Sequence, residues 1–231
     1  MMKQKIFFST FVLMIFSVQL MAQNPKQLIA AVNKKFNSVQ DYSADLKMDF
    51  NIPSVNIQTI KGKVFFKKPN KFRVRTHGIV FLPKENPAYA LTLLADTNSY
   101  TALISGEEKI GNCVCKVVNV IPNKDGDMIL GKFWIDAKTA LVMRSQLTTK
   151  SNGTIQMDNT YEENNTLPSK ILFTVDIAKF KIPKALAVDI NSKSSTNKSY
   201  NTKTAGFITL NFSNYKVNQK LQDAVFTEGE K

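Results

Sequence analysis

Residues Tyr42-Ser43-Ala44-Asp45-Leu46-Lys47-Met48-Asp49-Phe50-Asn51-Ile52 alternate without a fault between apolar and polar side chains. Successive side chains of an extended strand point to opposite faces, so this is the pattern of a strand with one face buried and one in water. Runs rich in β-branched and aromatic residues recur at 57–67, 71–77, 99–109, 113–121, 127–136, 140–149, 154–162, 169–179, 185–195 and 204–215. Between them Gly111-Asn112, Asp136-Ala137-Lys138 and Ser151-Asn152-Gly153 supply residues suited to tight turns or positive φ. Strands joined in this way predict a mainly β (α+β) fold. Its expected form is a single antiparallel sheet of about eleven strands, curled or closed.

Two segments depart from that period. Asn24-Pro25 followed by Leu28, Ile29, Val32 and Phe36 has helical spacing, with Asn24 as N-cap and Pro25 at the first helical position. Asn86-Pro87 repeats the opening, and Ala88, Leu91, Leu94 and Ala95 share a helical face, which predicts a short helix over 86–95. A strand is the alternative there, because Leu91, Leu93 and Ala95 also share parity. The polar run 191–204 reads as a hairpin tip with its flanks.

Ahead of these elements, Lys3 and Lys5 precede the apolar run Ile6 to Leu20, and Ala22 stands where the chain turns polar. That is the layout of a secretory signal peptide over 1–22, cleaved after Ala22, although Leu20 replaces a usual small residue. The apolar run is shorter than the roughly 20 residues of a membrane span. The expected mature part, 23–231, is one domain, soluble in the periplasm, with length enough for a sizeable core.

The chain carries 31 Lys and Arg against 18 Asp and Glu. Lys61, Lys63, Lys67, Lys68, Lys71, Arg73 and Arg75 concentrate the excess with no acid among them. Such a patch attracts anionic lipid head groups by about 1 kcal/mol per basic residue near the membrane surface. The alternative is the solvated face of two neighbouring strands. An exported chain without nucleic-acid reading motifs is a poor nucleic-acid partner.

Catalytic chemistry finds little support. His77 is the only histidine, so a histidine metal site or triad lacks a second member. There is no phosphate-cradling glycine loop and no nucleophile elbow. Glu107-Glu108 and Glu162-Glu163 read as solvated carboxylates at turns or strand ends. Cys113 and Cys115 would share a strand face, but extended backbone puts their Cα atoms near the upper limit for a disulfide. Two thiols on the inner face are the expectation. The chain reads as a binding protein without cofactor, metal or catalytic residues.

The run Gly62-Lys63-Val64-Phe65-Phe66-Lys67-Lys68-Pro69-Asn70-Lys71-Phe72-Arg73 resembles the signature of the LolA/LolB lipoprotein-carrier superfamily. In that signature a strand opening on Gly and closing on basic residues meets Pro, then an aromatic at the start of the next strand. Val39-Gln40-Asp41-Tyr42-Ser43-Ala44, Phe133-Trp134-Ile135-Asp136 and Asp223-Ala224-Val225-Phe226 resemble further family segments in the same order. The similarity spans nearly the whole mature chain, and the order of short motifs carries it.

The resemblance implies an unclosed β-barrel of about eleven strands, covered by an N-terminal helix and a short lid helix, with an apolar cavity for acyl chains. Met48, Phe50, Val64, Phe66, Val74, Leu91, Leu94, Ile208, Leu210 and Phe212 are its candidate lipid-cavity residues; by spacing alone they would be ordinary core. Lys68 and Phe72 match family gate positions, with Lys in place of the more frequent Arg and its planar fork of donors. Lys61, Lys63, Lys67, Lys71, Arg73 and Arg75 form the candidate basic patch. The implied function is a periplasmic carrier, expected as a monomer, that takes lipoprotein acyl chains or a related lipid from an inner-membrane release complex towards an outer-membrane acceptor. Transient contact with the membrane surface accompanies that reading. Two alternatives stand beside it: an RseB-like envelope-stress sensor, and a surface module for anionic lipid or polysaccharide.

Overall fold

The structure is a computed structural model that describes residues 24–53, 57–76, 87–176 and 205–227. The expected signal peptide, His77, the strand over 185–195 and the hairpin tip over 191–204 lie outside the described residues.

Among the described residues ten strands form one antiparallel sheet: β1 (Asp41–Asn51), β2 (Ile60–Lys67), β3 (Lys71–Thr76), β4 (Tyr100–Ile110), β5 (Cys113–Pro122), β6 (Met128–Asp136), β7 (Val142–Thr149), β8 (Gly153–Thr160), β9 (Lys170–Asp176) and β10 (Ala205–Val217). Their order is β3-β2-β1-β10-β9-β8-β7-β6-β5-β4, so β3 and β4 are edges and the sheet is not closed. The pairing of β1 with β10, Met48 opposite Leu210 and Phe50 opposite Ile208, ties the chain's early and late strands together. Gly62 sits where β2 meets β3, opposite Thr76, and a Cβ there would collide with the Arg75 carbonyl oxygen.

Alternation along β1 has the expected consequence. Ala44, Leu46 and Met48 are buried with Val64 of β2, Val118 and Val120 of β5, Leu147 of β7 and Ile208 of β10 in one cluster. Residues from both halves of the sheet meet because the sheet curls, and two helices complete the enclosure. In α1 (Pro25–Asn37) the Asn24 side chain accepts from the Lys26 N–H at 3.0 Å, satisfying one orphan donor of the first turn. Ile29, Val32 and Phe36 are its buried stripe. The ambiguous segment is helical, α2 (Pro87–Ala95), and its Leu94 is fully buried. The Leu94 carbonyl accepts from Asn33 Nδ2 of α1 at 2.8 Å and from the Tyr100 hydroxyl of β4 at 2.9 Å, which fixes α2 to both.

The cysteines correct one expectation. Both are free thiols, but Cys115 belongs with Val117 and Trp134 to a small second cluster on the opposite, outer face, with Cys113 half-buried beside it. Val118 and Val120 take the inward parity of β5 instead. The strand is apolar at both parities, so its pattern alone does not say which set faces in. Burial pushes the Cys115 thiol up to about 11. Glu107 and Glu108 are exposed, as expected of solvated carboxylates, but they lie within β4 and are partnered, Glu107 with Lys116 and Glu108 accepting from Trp134 Nε1 at 2.8 Å. The Trp134 hydrogen bond, then Lys132, holds the Glu108 carboxyl below its usual range.

Candidate functional site

The inner face of the sheet does not fill the space under α1 and α2. A cleft of about 990 Å³, its open mouth included, lies between them. Ligand clefts are mostly apolar with a few placed polar groups. Val32, Lys35 and Phe36 of α1 and Ala90 and Leu91 of α2 form one wall. Tyr42, Leu46, Phe66, Phe72, Phe133, Met157, Ile171, Leu210 and Phe212 supply much of the sheet side. The mouth lies where β1, β3, β7 and β9 begin, with Ala140, Tyr161 and the loop residues Thr166, Leu167 and Pro168 around it. Rings of Phe36, Tyr42 and Tyr215 line up through Phe66: Phe36 to Phe66 is 5.9 Å between centroids, Tyr42 to Phe66 5.3 Å, and Tyr42 to Tyr215 5.6 Å.

Of the ten residues expected in a cavity, Phe66, Leu91, Leu210 and Phe212 line this cleft. Met48, Val64, Leu94 and Ile208 are fully buried core behind it, and Phe50 and Val74 pack against that core. Strand parity places a residue on a face but does not say how far along the strand the interior is packed. The structure adds residues that sequence reading did not place in a cavity: Val32 and Phe36 from α1, Phe133 from β6, Met157 from β8, and the polar set Tyr42, Ser145, Asn159, Tyr161 and Tyr215. A usable signal existed for the tyrosines, since Tyr42 stands at the start of a strand run, Tyr161 near the end of one and Tyr215 at the end of another. Burial raises all three phenols above their ordinary range, and Tyr42 and Tyr161 raise Tyr215 further. They remain neutral donors near pH 7.

Lys68 does not line the cleft but reaches the end of α1 beside it, and precedes Pro69 across a cis peptide bond. Its Nζ donates to the Phe36 carbonyl at 3.0 Å and to Asn37 Oδ1 at 2.9 Å, and stands 4.7 Å from the Phe36 ring centroid. A cation at the carbonyl end of a helix is favourably placed against the helix dipole. Partial burial nevertheless lowers its pKa. Lys68 therefore clasps the end of α1, the helix that forms one wall. Phe72, opposite Phe66 in the β2–β3 register, lines the cleft and is half-buried.

The basic patch is placed on the outer face of β2 and β3, where Lys63 faces Arg75 and Lys67 faces Lys71. Much of it is engaged by the chain's own C-terminal segment. After β10, Asn218 and Lys220 adopt positive φ, and the Asp41 carboxylate accepts the N–H groups of Gln219 and Lys220, turning the chain back. Lys67 Nζ then donates to the Leu221 carbonyl and to Asp223, both at 2.7 Å, and Lys71 pairs with Asp223 at 2.8 Å. Arg73 and Arg75 donate to the carbonyls of Phe226 and Val225 in the short helix α3 (Ala224–Thr227), each at 3.0 Å. Lys63 pairs with Asp45 at 3.5 Å, and Lys61 is exposed.

Among the described residues no group of three or more His, Cys, Asp or Glu could hold a metal ion. No described helix is long and apolar enough to cross a membrane.

Together these features define an open antiparallel half-barrel with an apolar cleft under two helices. The chain has the LolA-like fold: it is similar to a putative outer membrane lipoprotein-sorting protein domain from Vibrio parahaemolyticus (TM-score 0.57, 10% identity, covering 88% of this chain and 97% of that one). A LolA superfamily protein from Nitrosomonas europaea is similar with TM-score 0.56 and 11% identity over 88% of this chain and 97% of that one. A DUF1329 family protein from Desulfovibrio piger is similar with TM-score 0.57 and 14% identity over 89% and 96%. The family model described as MucB/RseB N-terminal domain matches residues 61–160, which run from β2 to β8. No curated protein sequence gives a significant match.

Proposed function

We propose that this protein is a soluble envelope carrier that shields acyl chains in the cleft between the sheet and the helices α1 and α2. The observation that carries the reading is the cleft itself, walled largely by aromatic and aliphatic side chains from the sheet and both helices. Each CH₂ moved from water into such a site gains about 0.8 kcal/mol, so a long chain supplies its own driving force. The similarity to lipoprotein-sorting proteins of the same fold supports cargo of lipoprotein or related lipid type. Transfer from an inner-membrane donor to an outer-membrane acceptor requires no covalent step, only an acceptor that binds the chains more favourably. Lys68, through the end of α1, and Phe72, at the mouth, are the proposed gate.

The test is binding of a fluorescent fatty-acid probe to the mature protein, with mass spectrometry of lipids co-purifying from its native envelope. Phe72→Asp and Phe212→Asp, both at half-buried positions, should abolish probe binding, whereas Lys61→Glu should leave it intact. A wild-type protein that neither carries lipid nor takes up the probe sinks the reading. The match of residues 61–160 to the MucB/RseB model favours a second reading, a lipid-responsive sensor. A carrier hands bound probe to acceptor vesicles; a sensor keeps it and changes its affinity for a protein partner.

A further inference from the structure

An acyl chain asks nothing of hydrogen-bonding side chains, yet the mouth of the cleft gathers several. Ser145 of β7 lines the cleft, is 2% exposed, and its hydroxyl makes no hydrogen bond among the described residues. Asn159 of β8 donates Nδ2 to the Val142 carbonyl at 2.8 Å, which fixes the amide's orientation and leaves Oδ1 buried without a partner. The Tyr161 hydroxyl donates to the same carbonyl at 3.0 Å, so that acceptor is fully used. Tyr215 donates to the Pro168 carbonyl at 2.8 Å and keeps its oxygen lone pairs.

These groups stand close together by register. Ser145 is opposite Met157, and Asn159 is two residues further along the same face of β8, the diagonal position about 7–8 Å away. The Tyr42 and Tyr161 phenols are near enough to Tyr215 to raise its pKa, so the three rings converge on the same end. An unpartnered buried acceptor is costly in a dry site unless something supplies its donor. The set is buried at the end of the cleft where β7 begins and β8 ends, beside the half-buried loop residues Thr166, Leu167 and Pro168, and there it meets the part of an amphiphile where its chains join its head.

We infer that Asn159 Oδ1 and Ser145 Oγ form a recognition site for a hydrogen-bond donor in the linkage region of the cargo, either the N–H of an amide-linked acyl chain or a lipid hydroxyl. The inference rests on the acyl-carrier reading and narrows its ligand class. The tails occupy the apolar interior, and the donor is seated between β7 and β8. Lipids joined only through esters leave Asn159 Oδ1 unpaired and are discriminated against. A site built to bond a donor rejects an analogue that lacks it far more strongly than it rejects a change in chain length.

Two probes that differ by one atom test this. N-methyldodecanamide and methyl dodecanoate carry the same chain and differ in N–H against O, and each is titrated against the mature protein loaded with a fluorescent fatty acid. A merely apolar cleft favours the ester, because the amide gives up more hydration. The expected result is displacement by the amide at concentrations about tenfold lower than by the ester, with the preference lost in Asn159→Leu and reduced in Ser145→Ala. Unchanged circular dichroism and thermal midpoint confirm that each variant is folded. Ser145→Ala removes a hydroxyl without a protein partner, so it keeps the test open if Asn159→Leu fails to fold. Equal or better displacement by the ester overturns the inference while leaving the carrier reading standing, as does an amide preference that survives both substitutions. Displacement by neither probe overturns both.

Discussion

Lys68→Met removes the ammonium that closes α1 onto the sheet while keeping an aliphatic stem of similar length. The wild-type group makes two hydrogen bonds, to the Phe36 carbonyl and Asn37 Oδ1, and a cation–π contact at 4.7 Å. Hydrogen bonds to a charged group contribute about 1.5–3 kcal/mol when well buried, and an exposed cation–π contact about 0.5–1 kcal/mol. Three features reduce the sum. Lys68 is only partly buried, the bond to Asn37 is exposed, and the Phe36 carbonyl still accepts the Val39 N–H at 3.1 Å. Desolvation, which depresses the lysine's pKa, offsets more. A net loss of about 1–2 kcal/mol follows. With a urea m-value of roughly 2–3 kcal/mol/M for a chain of this size, the unfolding midpoint should fall by about 0.5 M. Amide exchange should accelerate in α1 before the strands, and a bound acyl probe should leave faster, since Val32 and Phe36 line the cleft. Lys68→Arg should retain most of both properties. A midpoint within about 0.1 M of wild type together with unchanged α1 exchange would refute the clasp, as would an Arg variant as damaged as Met.

Gly62→Ala should destabilise by about 1–3 kcal/mol, because its Cβ would meet the Arg75 carbonyl oxygen and Thr76 Cγ2 and force β3 away from β2; an unfolding midpoint equal to wild type contradicts that packing. The C-terminal clasp should depend on pH in the acid range. Hydrogen bonds from Lys67 and Lys71 hold the Asp223 carboxyl down at about 2. A carboxylate depressed by folding contributes above its unfolded value of about 3.9 and loses that contribution as pH falls towards 2. Exchange of residues 221–227 should therefore rise over that interval relative to Asp223→Asn, whose clasp lacks the titrating group. Parallel profiles for the two proteins would remove Asp223 from the clasp.

Much of the scaffold was legible in the chain. The fault-free alternation of Tyr42 to Ile52 gave β1, and Asn24-Pro25 gave the cap and start of α1, because both signals are local and carry their own geometry. The Gly62 to Arg73 run led to the family resemblance. The site was legible only in part. Met48 and Leu210 are opposite one another in the β1–β10 register, yet Leu210 lines the cleft and Met48 is core. Depth along a curled sheet is set by where helices cover it, which no strand pattern contains. Cys113 and Cys115 show the same limit, since a strand apolar on both faces leaves its orientation to its neighbours.

The sequence by itself determined that this is a β-rich chain with a capped N-terminal helix and a basic stripe on one face of β2 and β3, because backbone preference and side-chain alternation are properties of adjacent residues. Only the tertiary structure decided what that stripe does and what the cleft offers. The chain reversal at Asn218 and Lys220 sets Asp223 and the carbonyls of 221, 225 and 226 onto Lys67, Lys71, Arg73 and Arg75, partners some 150 residues away. In the same way Ser145 of β7, Asn159 of β8, Tyr42 of β1, Tyr215 of β10 and Tyr161 just after β8 share one end of the cleft because the sheet curls, and a polar site assembled by curvature leaves no local mark in the chain.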